Sequence, residues 1–157
     1  MVETLGEVMP YAARRYGGKT ALVSDGARFT FSDLEAKSNA FANGLVATGI
    51  KPGETVTLYG PNSWQWLVAY YAVAKTGAVV NPVNVMLTPE EVKFIVGDCG
   101  ARAVVASADK AAALMDMREQ PPKTPGDVSR MLPSAPQCAQ CFTAMKLCCV
   151  EPPRDES

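Results

Sequence analysis

Apolar segments alternate regularly with Gly, Pro, Asp and Asn turn signals over the first 118 residues, and this alternation constrains the fold more than any other feature. Segments with helical spacing of apolar residues take turns with short β-branched runs. The pattern predicts the element order α-β-β-α-β-α-β-α-β-α. Because strands separated by helices pair in parallel through right-handed crossovers, we expect an α/β fold with a largely parallel sheet flanked by helices, plus a β-hairpin.

The first predicted element is a helix over Thr4–Tyr16 that ends at Gly17 and is kinked at Pro10. A hairpin follows, because Asp25-Gly26 suits a two-residue turn between two strands. The predicted strands of this hairpin are Thr20–Ser24 and Ala27–Phe31.

Capping signals place the later helices. Ser32-x-x-Glu35 predicts a capping box, and Pro89 with Glu90 and Glu91 predicts a helix start in which acidic side chains complement the helix dipole. In the first of these helices Leu34, Phe41 and Leu45 are expected to lie inward. The apolar surface of the second is supplied by Val92, Phe94, Ile95 and Val96. The other predicted elements are strand Thr55–Tyr59, helix Ser63–Thr76, strand Ala78–Val80, strand Ala103–Ala106 and helix Asp109–Met117.

Composition changes near residue 118. Residues 119–157 hold seven of the twelve prolines and four of the five cysteines, and the run Gln120–Gly126 suits neither helix nor strand. We therefore divide the chain into an α/β portion, residues 1–118, and a Pro/Cys-rich tail, residues 119–157, that is predicted to be mostly disordered.

Composition also excludes classes of function. The chain has no His, which removes Ser-His and Cys-His nucleophile pairs, and its formal charge of -1 is unsuited to a nucleic-acid backbone. The acidic start, with Glu3 and Glu7, predicts a cytoplasmic protein. The uncharged stretch Thr55–Ala74 is interrupted by the turn Gly60–Ser63, so no transmembrane segment is predicted.

The turn Gly60–Ser63 is also the first candidate site, because it joins a strand to a helix start, where α/β proteins bind anions. No G-x-G-x-x-G is present, and Lys75-Thr76 lacks a preceding glycine loop, so no Walker-type phosphate site is expected. We interpret Ser63 as a helix N-cap, with a ligand contact as the alternative.

The cysteines form the second candidate. Cys138-x-x-Cys141 with Cys148-Cys149 could indicate a four-thiolate metal site or a redox pair, but adjacent cysteines direct their side chains apart. We interpret them as incidental thiols, and Cys99 as an inert one.

The aromatic residues of the Ser63–Thr76 segment are interpreted as core rather than as a stacking platform. These are Trp64, Trp66, Tyr70 and Tyr71.

Several motifs, in order, carry a resemblance to a known family. They are Ala21–Gly26, Phe29–Leu34, Gly44-Leu45, Gly49–Glu54, Leu58–Ser63, Ala74–Asn84, Thr88–Val92 and Asp98–Arg102. From residue 3 to about residue 107 the chain resembles the N-terminal end of the AMP-forming acyl-CoA synthetases, members of the acyl-adenylate-forming superfamily. The resemblance implies a partial N-terminal subdomain of that fold. Beyond about Asp109 it fades, and we interpret the tail as a shifted reading frame or an unrelated ending.

The resemblance implies a reaction as well. The family uses ATP, with Mg²⁺, to convert a carboxylic acid to an acyl-adenylate, and then transfers the acyl group to coenzyme A. Its Ser/Thr/Gly-rich loop ending in Lys is not found in these 157 residues. We therefore assign no catalytic, cofactor-binding or metal residue and expect a truncated ligase that is inactive alone. The alternative is a non-enzymatic interaction module or a split-enzyme piece. Expected partners are the remainder of the synthetase, or a second copy through exposed apolar surface.

Overall fold

The computed structural model describes residues 2–116, 131–133 and 145–150, with side chains described for residues 2–115. The helices are α1 (Val8–Tyr16), α2 (Phe31–Ala47), α3 (Trp64–Lys75), α4 (Pro89–Asp98) and α5 (Ala108–Asp116). The strands are β1 (Thr20–Ser24), β2 (Ala27–Thr30), β3 (Thr55–Tyr59), β4 (Val79–Pro82), β5 (Ala103–Ser107), β6 (Met131–Pro133) and β7 (Met145–Val150). Through α5 their order is the one that the sequence predicts.

The first helix begins later than predicted. A 3₁₀ turn over Leu5–Glu7 precedes α1, so Pro10 is the third residue of α1 rather than an interior one. The first backbone N–H groups of a helix have no intrahelical acceptor, and the missing N–H of Pro10 therefore costs no hydrogen bond there. The kink predicted at Pro10 stays a prediction. The predicted stop is confirmed, since Gly17 follows α1 with a φ of 31°.

The capping box of α2 involves other residues than predicted. Thr30 is the N-cap: its side chain accepts a hydrogen bond from the Asp33 N–H, and the Asp33 carboxylate accepts one from the Thr30 N–H. The Ser32-x-x-Glu35 prediction is wrong because the helix starts two residues earlier, with Thr30 as its N-cap and Asp33 as the third helical residue. The predicted inward face is confirmed, and its side chains are almost completely buried: Leu34, Phe41 and Leu45.

The predicted hairpin is confirmed. β1 and β2 pair antiparallel across Asp25 and Gly26, which have φ values of 50° and 76°. Positive φ at both central residues is what a type I′ turn requires, and it matches the right-handed twist of the two strands.

The main sheet has the strand order β4-β3-β5-β7-β6. β3 pairs in parallel with β4 and β5, whereas β7 adds to β5 antiparallel and β6 pairs antiparallel with β7. The prediction of a mostly disordered tail therefore does not extend to β6 and β7. The other tail residues, including Gln120–Gly126, lie outside the described residues.

Two apolar clusters cover the two faces of the sheet. On one face, α1, α2 and α3 pack against alternate residues of β3 and β5; on the other, α4 and α5 pack against the intervening residues. In β5, for example, Ala103 and Val105 belong to the first cluster and Val104 and Ala106 to the second, all with 0% exposure. Burial on both faces is characteristic of a parallel sheet between two helical layers.

The outer face of α4 and the loop before it expose two large apolar side chains. Of the residues predicted to supply the apolar surface of α4, Val92 and Val96 are buried, whereas Phe94 is 74% exposed. Phe94 lies two residues from each buried valine, and on a helix such a spacing falls on the opposite side. Met86, in the loop before α4, is 83% exposed.

No helix in the described part of the chain has the length and hydropathy needed to cross a bilayer.

Candidate functional site

A cleft of about 460 Å³ lies at the carboxyl ends of β3 and β5. After β3 the chain enters α3 on one face of the sheet, and after β5 it enters α5 on the other face. This divergence makes the position a topological switch point, where open α/β sheets bind ligands. The lining residues are Asp25, Gly60, Pro61, Ser63, Gln65, Ser107, Ala108 and Asp109.

The floor of the cleft is a close approach between Gly60 and Ser107. A Cβ atom added to Gly60 would lie 3.3 Å from the Ser107 backbone nitrogen and 3.4 Å from its Cβ. Such distances leave little room for a larger residue. The glycine of the predicted turn therefore has a packing role: it lets the two strand ends lie side by side.

Ser63 has the capping role that the sequence predicts. Its Oγ accepts a hydrogen bond of 3.1 Å from the Trp66 backbone N–H and thereby caps α3. The side chain also lines the cleft. The alternative, a ligand contact by Ser63, stays a prediction.

Ser107 and Asp109 form the opposite wall. Ser107 Oγ is buried without a hydrogen-bond partner of good geometry among the described residues. Its hydroxyl nevertheless lies close enough to the Asp109 carboxylate to be the main cause that lowers the pKa of Asp109, with the backbone N–H groups of Lys110 and Asp109 adding to the effect. A lowered pKa keeps this carboxylate charged at neutral pH.

The electrostatics of the cleft are those of an acidic site. Asp25 and Asp109 bring carboxylates to it, and no Lys or Arg is among its described lining residues. Lys110, next to Asp109, lies instead over the Tyr59 ring, with its Nζ 5.2 Å from the ring centroid. Binding a triphosphate requires cations or several free N–H donors. None of the described lining side chains is a cation that could pair with a triphosphate, and we derive no chemical step through this cleft.

Metal ligation finds no support in the described residues, which contain no cluster of three or more Cys, Asp or Glu side chains that could bind a metal. Cys138 and Cys141 lie outside the described residues, and Cys148 and Cys149 are described only as backbone positions of β7. The interpretation of these cysteines as incidental thiols, and its alternative of a thiolate metal site or redox pair, therefore both stay predictions.

The other sequence candidates have structural roles. The aromatic side chains of α3 are partly buried and pack against the core, as predicted: Trp64, Trp66, Tyr70 and Tyr71. Glu91 closes a second capping box with Thr88 at the start of α4. Cys99 is an exposed free thiol 3.3 Å from the Asn81 side-chain nitrogen.

The sequence identified Gly60–Ser63 but missed the residues that complete the cleft. Ser107 and Asp109 follow a second strand of the same parallel sheet, and the carboxyl ends of parallel strands share an edge. The predicted parallel pairing of the two strands was therefore the sequence signal that could have placed Ser107 and Asp109 beside Gly60–Ser63. Asp25 enters from the hairpin turn, and no sequence pattern indicates this contact.

Comparison with known proteins decides the family. The sequence model of the AMP-binding enzyme family matches residues 9–146. This chain belongs to the AMP-binding enzyme family. The matched range continues past Asp109, beyond which the resemblance was expected to fade, and past the boundary at residue 118.

Curated members of the AMP-binding family include similar ligases. The chain is 38% identical over 102 residues to long-chain-fatty-acid–CoA ligase FadD13 of Mycobacterium tuberculosis, covering 64% of this chain and 20% of that protein. It is 35% identical over 119 residues to a long-chain-fatty-acid–CoA ligase of Salmonella typhimurium, covering 75% of this chain and 21% of that protein. The chain therefore spans about a fifth of the length of these relatives.

Solved structures of AMP-binding enzymes agree with the fold. The N-terminal domain of FACL13 from Mycobacterium tuberculosis matches with a TM-score of 0.72 and 32% identity, over 77% of this chain and 31% of that domain chain. The anthranilate CoA ligase AuaEII matches with a TM-score of 0.70 and 25% identity, over 74% of this chain and 22% of that one. The α/β architecture is thus that of the N-terminal part of an acyl-CoA ligase.

Proposed function

We propose that this chain supplies the N-terminal scaffold of an ATP-dependent acid–CoA ligase whose substrate is a fatty acid. Family membership and the names of the similar proteins support this assignment. In the proposed whole enzyme a carboxylate oxygen attacks the α-phosphorus of ATP, pyrophosphate leaves, and the thiol of coenzyme A then displaces AMP from the acyl-adenylate.

We further propose that the chain alone performs neither half-reaction and binds neither ATP nor coenzyme A. The observation that carries this proposal is the acidic lining of the cleft, with Asp25 and Asp109 present and no cationic side chain among the described lining residues. Charge that develops on the departing pyrophosphate requires preorganised donors or cations for its stabilisation. Neither carboxylate can supply that.

Titration calorimetry with Mg-ATP tests the proposal directly. We expect no saturable binding up to millimolar nucleotide, and the same result for coenzyme A. A complete long-chain-fatty-acid–CoA ligase is the positive control. Saturable, stoichiometric ATP binding by this chain would contradict the proposal.

A second candidate function is a split-enzyme piece that acts with a separate polypeptide. The exposed side chains of Met86 and Phe94 favour it, since large apolar groups in solvent mark surfaces that other protein covers. Co-expression with a polypeptide containing the downstream part of a related ligase domain tests it. Restored ligase activity would support the candidate, whereas a stable monomer without rescue would favour an independent interaction module.

A cytoplasmic location belongs to the same proposal, because ATP and coenzyme A are both available there to such an enzyme. Cell fractionation with a tagged chain checks it. We expect the chain in the soluble cytoplasmic fraction, and recovery in a secreted or membrane fraction would contradict the proposal.

A further inference from the structure

The outward edge of β4 is protected against pairing. The Val79 N–H donates to the Glu54 carbonyl at 2.9 Å, and the Val83 N–H donates to the Leu58 carbonyl at 3.0 Å. Backbone direction alternates along a parallel strand, so Val80 and Pro82 direct their backbone groups away from β3. Pro82 has no N–H to offer another strand. Proline at such a position is one of the devices by which edge strands avoid pairing.

The outward edge of β5 has no such protection. The Arg102 N–H donates to the Thr55 carbonyl at 2.8 Å, so Arg102, Val104 and Ala106 direct their backbone groups toward β3. The intervening residues of the strand direct theirs away from β3. The segment Ala103–Ser107 contains neither proline nor charge, and it is apolar on both faces. Left open, this edge would be a template for another strand.

β7 covers the unprotected edge. Its antiparallel register places each outward residue of β5 opposite one residue of β7: Ala103 opposite Cys149, Val105 opposite Leu147, and Ser107 opposite Met145. The family match ends at residue 146. Four of the six residues of β7, Leu147–Val150, therefore lie beyond the part of the chain that the family model matches.

We propose that the outward edge of β5 is a strand-docking surface that Met145–Val150 occupies within the same chain, and that β5 of a second copy occupies when this segment is displaced. Two copies of β5 can pair antiparallel about a two-fold axis, because each presents the same edge to the other. The uncharged, β-branched sequence of β5 favours such pairing. The tail segment thus keeps the α/β portion monomeric, and this role does not depend on the proposed ligase function.

Amide hydrogen exchange on the unaltered chain provides the first test. The Val105 amide is directed toward β7, whereas the Val80 amide is directed to the open side of β4, where the described sheet has no further strand. In dilute, monomeric protein we expect Val105 to exchange on the order of 100-fold more slowly than Val80. Equal exchange rates at the two positions would overturn the proposal. The Val104 amide, directed toward β3, is the internal reference for a protected position.

Matched proline variants provide the second test. Leu147→Pro removes an N–H that is directed toward β5. Lys146→Pro removes an N–H that is directed away from β5 and lies beyond the three residues with which β6 pairs. We expect Leu147→Pro to strengthen self-association about tenfold or more in sedimentation velocity, and Lys146→Pro to leave it unchanged.

Two results would contradict this expectation. A Leu147→Pro chain that stays monomeric while its Val105 amide exchanges rapidly would show an open edge that does not dock. Equal association of both variants would show that pairing at this edge is not the cause. If Leu147→Pro fails to fold, the exchange measurement on the unaltered chain still tests whether Met145–Val150 covers the edge of β5, and equal exchange at Val105 and Val80 overturns the proposal.

Discussion

Lys75 Nζ lies 2.5 Å from Glu35 Oε2 and 2.7 Å from Asn39 Oδ1, and these contacts join the C-terminal end of α3 to α2. The Lys75 and Glu35 side chains are only 10% and 19% exposed. Low exposure reduces solvent screening, so removal of one partner leaves a poorly solvated charge. This pair holds two helices together on the face of the sheet that carries the larger apolar cluster.

Lys75→Ala is therefore expected to lower the free energy of unfolding by about 2 kcal/mol. Urea denaturation measures the change. Lys51→Ala, which truncates an exposed lysine, is the control and should change stability by less than about 0.5 kcal/mol. A double-mutant cycle with Glu35→Ala isolates the pair, and a coupling energy near zero would contradict this account.

Tyr59 connects the end of β3 to the loop before α4. Its hydroxyl donates a 2.6 Å hydrogen bond to the Leu87 carbonyl, and the residue is 0% exposed. Tyr59→Phe leaves that carbonyl without this donor and should cost about 1–2 kcal/mol in thermal or urea unfolding. Tyr11→Phe, at a position 41% exposed, should be nearly neutral. Equal costs for the two variants would mean that the hydrogen bond contributes nothing.

Gly60→Ala tests the close approach beneath the cleft. The added methyl group would lie 3.3 Å from the Ser107 nitrogen, so the strand ends must separate, at an expected cost of about 1–3 kcal/mol. Gly18→Ala is the matched control, because a Cβ there meets nothing within 4 Å. Differential scanning calorimetry should show a lower Tm for the first variant alone. Equal Tm values in the two variants would contradict the packing role of Gly60.

The Thr30–Asp33 capping box predicts a dependence of stability on pH. Hydrogen bonds from the Thr30 hydroxyl and backbone N–H lower the pKa of Asp33 below its ordinary value of 3.8. A carboxyl whose pKa is lower in the folded state stabilises the fold above its unfolded pKa, and this contribution is lost as the pH falls through the folded pKa. Stability should therefore decline below about pH 4.

Thr30→Val should make the loss of folding stability at acidic pH smaller, because it removes the hydroxyl that donates a hydrogen bond to the Asp33 carboxylate. Thr30→Ser keeps a hydroxyl and should retain the pH profile of the original chain. Urea unfolding at a series of acidic pH values compares the two variants. Identical profiles for Val and Ser at position 30 would show that the hydroxyl does not set the pKa of Asp33.

Local patterns predicted much of the fold, but they did not determine where every helix begins or which side of each helix faces the sheet. Leu34, Phe41 and Leu45 were identified as buried because helical spacing determines which side chains share a face. Ser32-x-x-Glu35 matches the capping-box pattern, but β2 ends at Thr30 and the helix begins there, so Thr30 is the N-cap and Asp33 takes the role predicted for Glu35. Apolar character alone does not say which side of α4 faces the sheet, and the structure buries Val92 and Val96 but exposes Phe94.

Contacts between distant parts of the chain explain what the sequence missed at the site. Ser107 and Gly60 are 47 positions apart, and they meet because β3 and β5 are neighbours in the sheet. Strand order follows from the crossovers as a whole, and no local pattern reports it. The pairing of β7 with β5 is similarly non-local.

Carboxylate-dependent exchange of labelled pyrophosphate into ATP tests the central claim most directly, because exchange requires a complete adenylating site. The purified chain should show no exchange above the protein-free background with any saturated fatty acid, while a complete long-chain-fatty-acid–CoA ligase shows exchange under the same conditions. Fatty-acid-dependent exchange by this chain alone, proportional to its concentration, would contradict the assignment of a scaffold without its own adenylating site.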